Sequence, residues 1–171
     1  MKFLERNTVR LTPENKEKFS AIGRHRHSEA LIAGKKDIYG GEFPEVWHIQ
    51  GALAEGSFKL LIGVTDPILK VNDYDGPDHG LRSEVRATDY LGGCLIIRPR
   101  DMTKNKTLRN WYLMVCLDNF QCVWSCAGWI SGEENILRPE YIKRNKDGNG
   151  AAWFVPQMAL TEFDLTKHIP S

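Results

Sequence analysis

The run from Trp111 to Leu117 is apolar at every position and constrains this chain more than any other stretch. Seven residues are far too few to span a bilayer, which takes about 20. The run also lacks the polar side of a half-buried strand. A strand of this kind is expected at the centre of a sheet covered on both faces. Cys94-Leu95-Ile96-Ile97 repeats the signal on a shorter scale. Leu81 to Thr88 behaves differently: Leu81, Ser83, Val85 and Ala87 alternate with Arg82, Glu84, Arg86 and Thr88. Period-two alternation predicts a strand with two unlike faces.

Composition sets the class. The chain has 171 residues, 42% hydrophobic and 26% charged, and suits one folded domain with a real core. Lys and Arg number 23 against 22 Asp and Glu, so the overall charge of +1 does not announce a polyanion binder. The distribution is less even. Between Leu81 and Arg109 there are seven bases and three acids, a local surface able to track phosphates. No apolar stretch follows the amino-terminal residues Met1 to Arg6, and no run is long enough for a transmembrane helix. The expectation is a cytoplasmic protein without a membrane partner, in the host cytoplasm if a phage encodes it. Cys94, Cys116, Cys122 and Cys126 contain no Cys-x-x-Cys pair, and they read as structural thiols better than as zinc ligands.

Along the chain, Thr12-Pro13-Glu14 predicts a capped helix start. This helix carries Phe19, Ile22, Leu31 and Ile32, with an interruption expected near Gly23. Its Arg24-His25-Arg26-His27 cluster reads as an exposed polar face, with a phosphate-contacting patch as the alternative. A loop from Gly34 to Pro44 precedes a second helix from Val46 to Leu61, ended by Gly63. Strands are expected at Val64–Val71, Leu81–Thr88, Cys94–Ile97, Trp111–Leu117, Gln121–Ile130 and Trp153–Val155. A short helix is expected from Ser131 to about Arg138. The whole reads as a single domain: an amino-terminal helical part over 1–45, a core over 46–160 and a carboxy-terminal tail over 161–171.

Chemistry concentrates around the strand at Leu81–Thr88. Glu84 and Arg86 are two apart, so they leave the same face about 6.6 Å apart. The preceding acidic turn, Asn72 to Gly80, can present Asp78 beside them. Two carboxylates next to a guanidinium can hold a divalent cation near a phosphate. Glu55 lies among small residues in Gly51-Ala52-Leu53-Ala54-Glu55-Gly56, where a helix can approach a sheet closely. Arg82, Arg98, Arg100, Lys104 and Lys106 supply the positive charge expected to contact nucleic acid.

This order of parts resembles the PD-(D/E)xK nuclease superfamily. It is most similar to small phage and bacterial proteins related to that superfamily. The likeness rests on Gly51–Glu55, Pro77-Asp78-His79-Gly80, Glu84-Val85-Arg86-Ala87-Thr88, Leu95–Asp101, Trp111–Val115 and Gly128–Gly132. It implies an α/β fold with a restriction-endonuclease-like core, a mixed β-sheet flanked by helices. It further implies a nuclease that hydrolyses phosphodiester bonds in nucleic acid, with DNA the expected substrate. Asp78, Glu84 and the Val85 carbonyl would bind Mg²⁺ or Mn²⁺, and Glu55 a second metal or a water. Arg86, with Arg82 or Arg98, would hold the scissile phosphate. Cutting both strands of a duplex would call for two such sites, hence a homodimer.

The chain departs from the superfamily pattern in two ways. Arg86 stands where the signature has lysine, and only five residues separate Asp78 from Glu84. Arginine keeps its charge and cannot serve as a general base. Superfamily members that keep the fold and have lost cleavage make a catalytically inactive nucleic-acid binder the alternative. A module docking a host protein through Trp124, Trp129 or Trp153 is the third.

Overall fold

The computed structural model describes residues 7–35, 44–71, 83–102, 109–132, 138–144 and 151–167. A short strand, β1 (Thr8–Arg10), leads into helix α1 (Pro13–Ile32). Thr12 caps α1 by accepting the Asn15 amide at 3.2 Å, as its hydroxyl and the following proline predict. Helix α2 (Glu45–Leu61) follows and ends through Gly63, whose φ of 90° lets the Val64 amide reach back to the Lys59 carbonyl. The remaining strands are β2 (Ser83–Thr88), β3 (Leu95–Ile97), β4 (Asn110–Cys116), β5 (Val123–Ser131), β6 (Ile142–Arg144) and β7 (Ala151–Val155).

These strands make two sheets. The first is mixed, in the order β1-β5-β4-β2, with β4 parallel to β2 and the other pairs antiparallel. The second is antiparallel, in the order β3-β7-β6. The protein is therefore α/β with a mixed sheet. Helix α2 covers one face of that sheet with α1 packed against it, and the second sheet covers the other face.

The apolar run read from the sequence is the middle of this stack. Tyr112, Met114 and Cys116 of β4 pack toward Ala52, Leu53, Ala54 and Phe58 of α2. Trp111, Leu113 and Val115 pack the opposite way, against Leu95, Ile97, Ile130 and Val155. Alternate residues of one strand thus feed two cores, which is why no polar residue interrupts it. Trp124 is fully buried, and Trp129 and Trp153 pack against these clusters. These tryptophans serve the interior and are not exposed anchors.

Several expectations need correction. Val64–Val71 is not a strand. Pro67 has no amide to give, and side chains take the neighbouring carbonyls: Lys59 donates to Ile68 O and Arg26 to Lys70 O. β3 is not covered on both faces, because Ile96 remains 38% exposed between two buried neighbours. Gly23 does not interrupt α1. It is buried where the helices cross, and a Cβ there would sit 2.4 Å from Ile49 Cα. Cys116 and Cys126 are buried thiols, whereas Cys94 and Cys122 are partly accessible. The expected helix after Ser131 lies largely outside the described residues.

Residues 161–167 join the packed structure. Thr161 bridges to Trp129, and Phe163 is buried in the helix-side core. Gly128, at φ 141°, permits this approach, since a Cβ there would meet Thr161 O at 2.6 Å.

Candidate functional site

β2 is an edge strand, aligned in parallel with β4 so that Glu84 lies opposite Trp111 and Arg86 opposite Leu113. Val85 and Ala87 pack toward the helices. Alternation then turns Glu84 and Arg86 toward the second sheet. The sequence places these two side chains correctly on one face, but that face is interior. Glu84 is only 2% exposed.

A carboxylate so deeply placed needs charge partners, since an unpaired buried ion costs several kcal/mol. Arg109, in the residue before β4, supplies one: its Nη1 donates to Glu84 Oε1, and Arg109 itself is 8% exposed. Arg86 supplies another, with Nη1 3.6 Å from Glu84 Oε2. The same Nη1 donates to the Val85 carbonyl at 3.3 Å, and Nη2 lies 3.3 Å from Asp101 Oδ2. The Arg86 guanidinium carbon sits 4.8 Å from the centre of the Trp111 ring, a cation–π contact. Asp101 is fixed in turn, because its Oδ2 accepts the Arg98 amide at 2.9 Å at the start of the 3₁₀ turn Pro99–Met102. Among the described residues, two carboxylates and two guanidinium groups meet between the sheets. Arg86, with its side chain 29% exposed, is the member nearest to solvent in this network.

Glu55 belongs to a different place. It faces α1, where Arg26 Nη1 and Nη2 hold its two oxygens at 2.6 and 2.7 Å. Both side chains are 13% exposed. This fork-to-fork pairing is the strong form of an arginine–carboxylate contact. The basic cluster in α1 is therefore only half exposed. Arg24 and His25 point outward to Glu17 and Glu29, while Arg26 and His27 turn toward α2. The His27 and His48 rings stand 5.4 Å apart between the helices. Burial, followed by the nearby His27, Arg26 and Lys35, holds His48 below the ordinary histidine range.

Glu55 and Glu84 consequently lie on opposite sides of β2 and do not converge. Asp78, Arg82, Lys104 and Lys106 lie outside the described residues, as does the side chain of Arg100. Arg98 is exposed, as a phosphate contact requires. Sequence reasoning did not foresee Arg26, Arg109, Asp101 or Trp111 as partners of the site carboxylates and of Arg86. Arg109 carries a usable signal, a charge directly before a wholly apolar strand. Asp101 carries a weaker one, an acid three residues beyond Arg98 with proline between them.

A resident Mg²⁺ or Mn²⁺ would need several such oxygens to converge on it at about 2.1 Å. The Glu84 and Glu55 carboxylates lie on opposite sides of β2, each paired with arginine, and do not converge. Among the described residues, no three His, Cys, Asp or Glu side chains gather as a metal site. As arranged, the described donor set does not fit the metal that the family likeness implies. No described helix is long and apolar enough to cross a membrane. Comparison of this chain with family models, curated proteins and solved structures gives no match.

Proposed function

We propose that this chain binds nucleic acid on a restriction-endonuclease-like core whose would-be metal centre is neutralised by arginine, so that it binds without cutting. One observation carries this reading. Glu84, the carboxylate on which metal-dependent cleavage would rest, is buried and held by the guanidinium groups of Arg109 and Arg86. A divalent ion would have to compete for this carboxylate with two permanently charged groups. Arg98, exposed, offers a phosphate contact at the start of the stretch whose sequence carries Arg100, Lys104 and Lys106. Such binding works by charge and needs no metal.

A metal-dependent nuclease is the second reading. It is favoured by the grouping of Glu84 and Asp101 around the partly exposed Arg86, on a strand that follows the stretch bearing Asp78. The two readings part in a cleavage assay on supercoiled DNA, linear duplex, single strands and RNA, with Mg²⁺, Mn²⁺ or EDTA. The proposal requires salt-sensitive binding that is the same in EDTA and no product in any lane. Metal-dependent product that vanishes in Glu84→Ala overturns it in favour of the nuclease.

A further inference from the structure

The second sheet has an outer face that neither buried cluster uses. Ile96 and Phe154 are direct partners across β3 and β7, so their side chains leave the sheet on the same side. Leu95, Ile97, Trp153 and Val155 alternate with them and fill the inter-sheet core. Ile96 is 38% exposed and Phe154 half-buried. Lys143 on β6 faces Ala152, which places it diagonally beside Phe154. Its ammonium lies 5.2 Å from the centre of the Phe154 ring. The strands β3, β6 and β7 contain two bases and no acid. Arg98, exposed, leaves the end of β3 into the basic stretch.

A half-buried aromatic ring on the central strand of the sheet, an aliphatic neighbour and flanking cations form a platform with one well-matched occupant. A nucleic-acid base can stack on Phe154 when the Lys143 ammonium moves from over the ring to a phosphate, with Arg98 meeting a second phosphate. The bases of an intact duplex are stacked inside it and present no face to such a ring. We infer that the β3-β7-β6 face binds single-stranded nucleic acid, with Phe154 as the stacking residue and Lys143 and Arg98 as phosphate contacts. The inference rests on the nucleic-acid reading above and gives it a substrate class.

The test is fluorescence anisotropy with a labelled mixed-sequence single-stranded DNA, the matching RNA and the matching duplex, in EDTA. Expected is tighter binding of the single strands than of the duplex. Phe154→Leu keeps an apolar side chain but removes the π face, and should weaken single-strand binding about tenfold. Phe154→Trp should restore it, which a purely structural role would not do. Lys143→Ala should lower the slope of log affinity against log salt by about one. Thermal melting of each variant checks that it is folded. Should Phe154→Leu fail to fold, Phe154→Tyr and Lys143→Ala carry the same comparison: the first should retain affinity and the second reduce the slope. Single-strand binding unchanged by Phe154→Leu and Lys143→Ala overturns this inference and leaves the broader reading standing. Preference for the duplex does the same. Absence of binding to all three probes overturns both.

Discussion

Arg109 Nη1 donates to Glu84 Oε1 in an ion pair buried between the two sheets. The carboxylate comes from an edge strand and the guanidinium from the residue before its parallel neighbour, so the pair fastens β2 to β4 at one end. Breaking such a pair leaves a charge stranded in the interior. Arg109→Met should cost about 3–5 kcal/mol of stability, read from chemical denaturation. Converting both partners, as in Glu84→Gln with Arg109→Met, should recover much of that loss. An additive loss would mean that the two residues do not depend on each other.

The Arg26–Glu55 pair ties α1 to α2, and Arg26 also holds the Lys70 carbonyl. Glu55→Ala should destabilise by about 1.5–3 kcal/mol, the range for hydrogen bonds to charged groups. It should leave nucleic-acid affinity unchanged, because the pair is turned away from the β2 crevice. Denaturation and anisotropy on the same preparation check both halves.

His48, between the helices, makes stability depend on pH. His48 is held below its ordinary value of 6.5, first by burial and then by His27, Arg26 and Lys35. The unfolded chain thus takes up a proton at a pH where the folded chain resists it. Stability should be fully present above pH about 6.5 and should fall as the pH drops below it. His48→Asn should flatten this part of a plot of melting temperature against pH.

Gly23 sets the spacing of the helices. A Cβ at this position would lie 2.4 Å from Ile49 Cα and 2.8 Å from His48 O, both backbone atoms that cannot rotate aside. Gly23→Ala gains helix propensity of about 1 kcal/mol. The forced separation of the helices should outweigh it, for a net loss of about 1–3 kcal/mol in a denaturant titration.

The thiols provide an independent check on the layering. Cys126 is buried, and burial pushes its thiol up to about 12. In the native protein near pH 8 it should resist alkylation, while Cys94 and Cys122 should react first. Peptide mapping after brief alkylation reads the order.

The sequence revealed the strands better than it revealed their surroundings. Trp111–Leu117 read correctly as a central strand because its continuous apolarity reports two covered faces, and β4 indeed serves two cores. The alternation at Leu81–Thr88 correctly put Glu84 and Arg86 together on one face. It could not say that this face is closed over by a second sheet, because alternation of polarity normally means solvent. The inward placement of Arg109, beside Arg86, makes a buried Glu84 tolerable, and a partner 25 residues away is a tertiary fact. Glu55 failed for a related reason. Its small neighbours do allow close packing, but Gly56 abuts the Phe19 ring of α1, and Arg26 on that helix takes the carboxylate.

The central claim is that guanidinium groups hold the oxygens a catalytic metal would use. Titration of the protein with Mn²⁺, following free ion by electron paramagnetic resonance, addresses it directly. The account predicts no saturable site of submillimolar affinity in the wild type, and the same trace for Glu84→Gln. A stoichiometric Mn²⁺ site in the wild type that disappears in Glu84→Gln would contradict it and restore the metal-dependent nuclease.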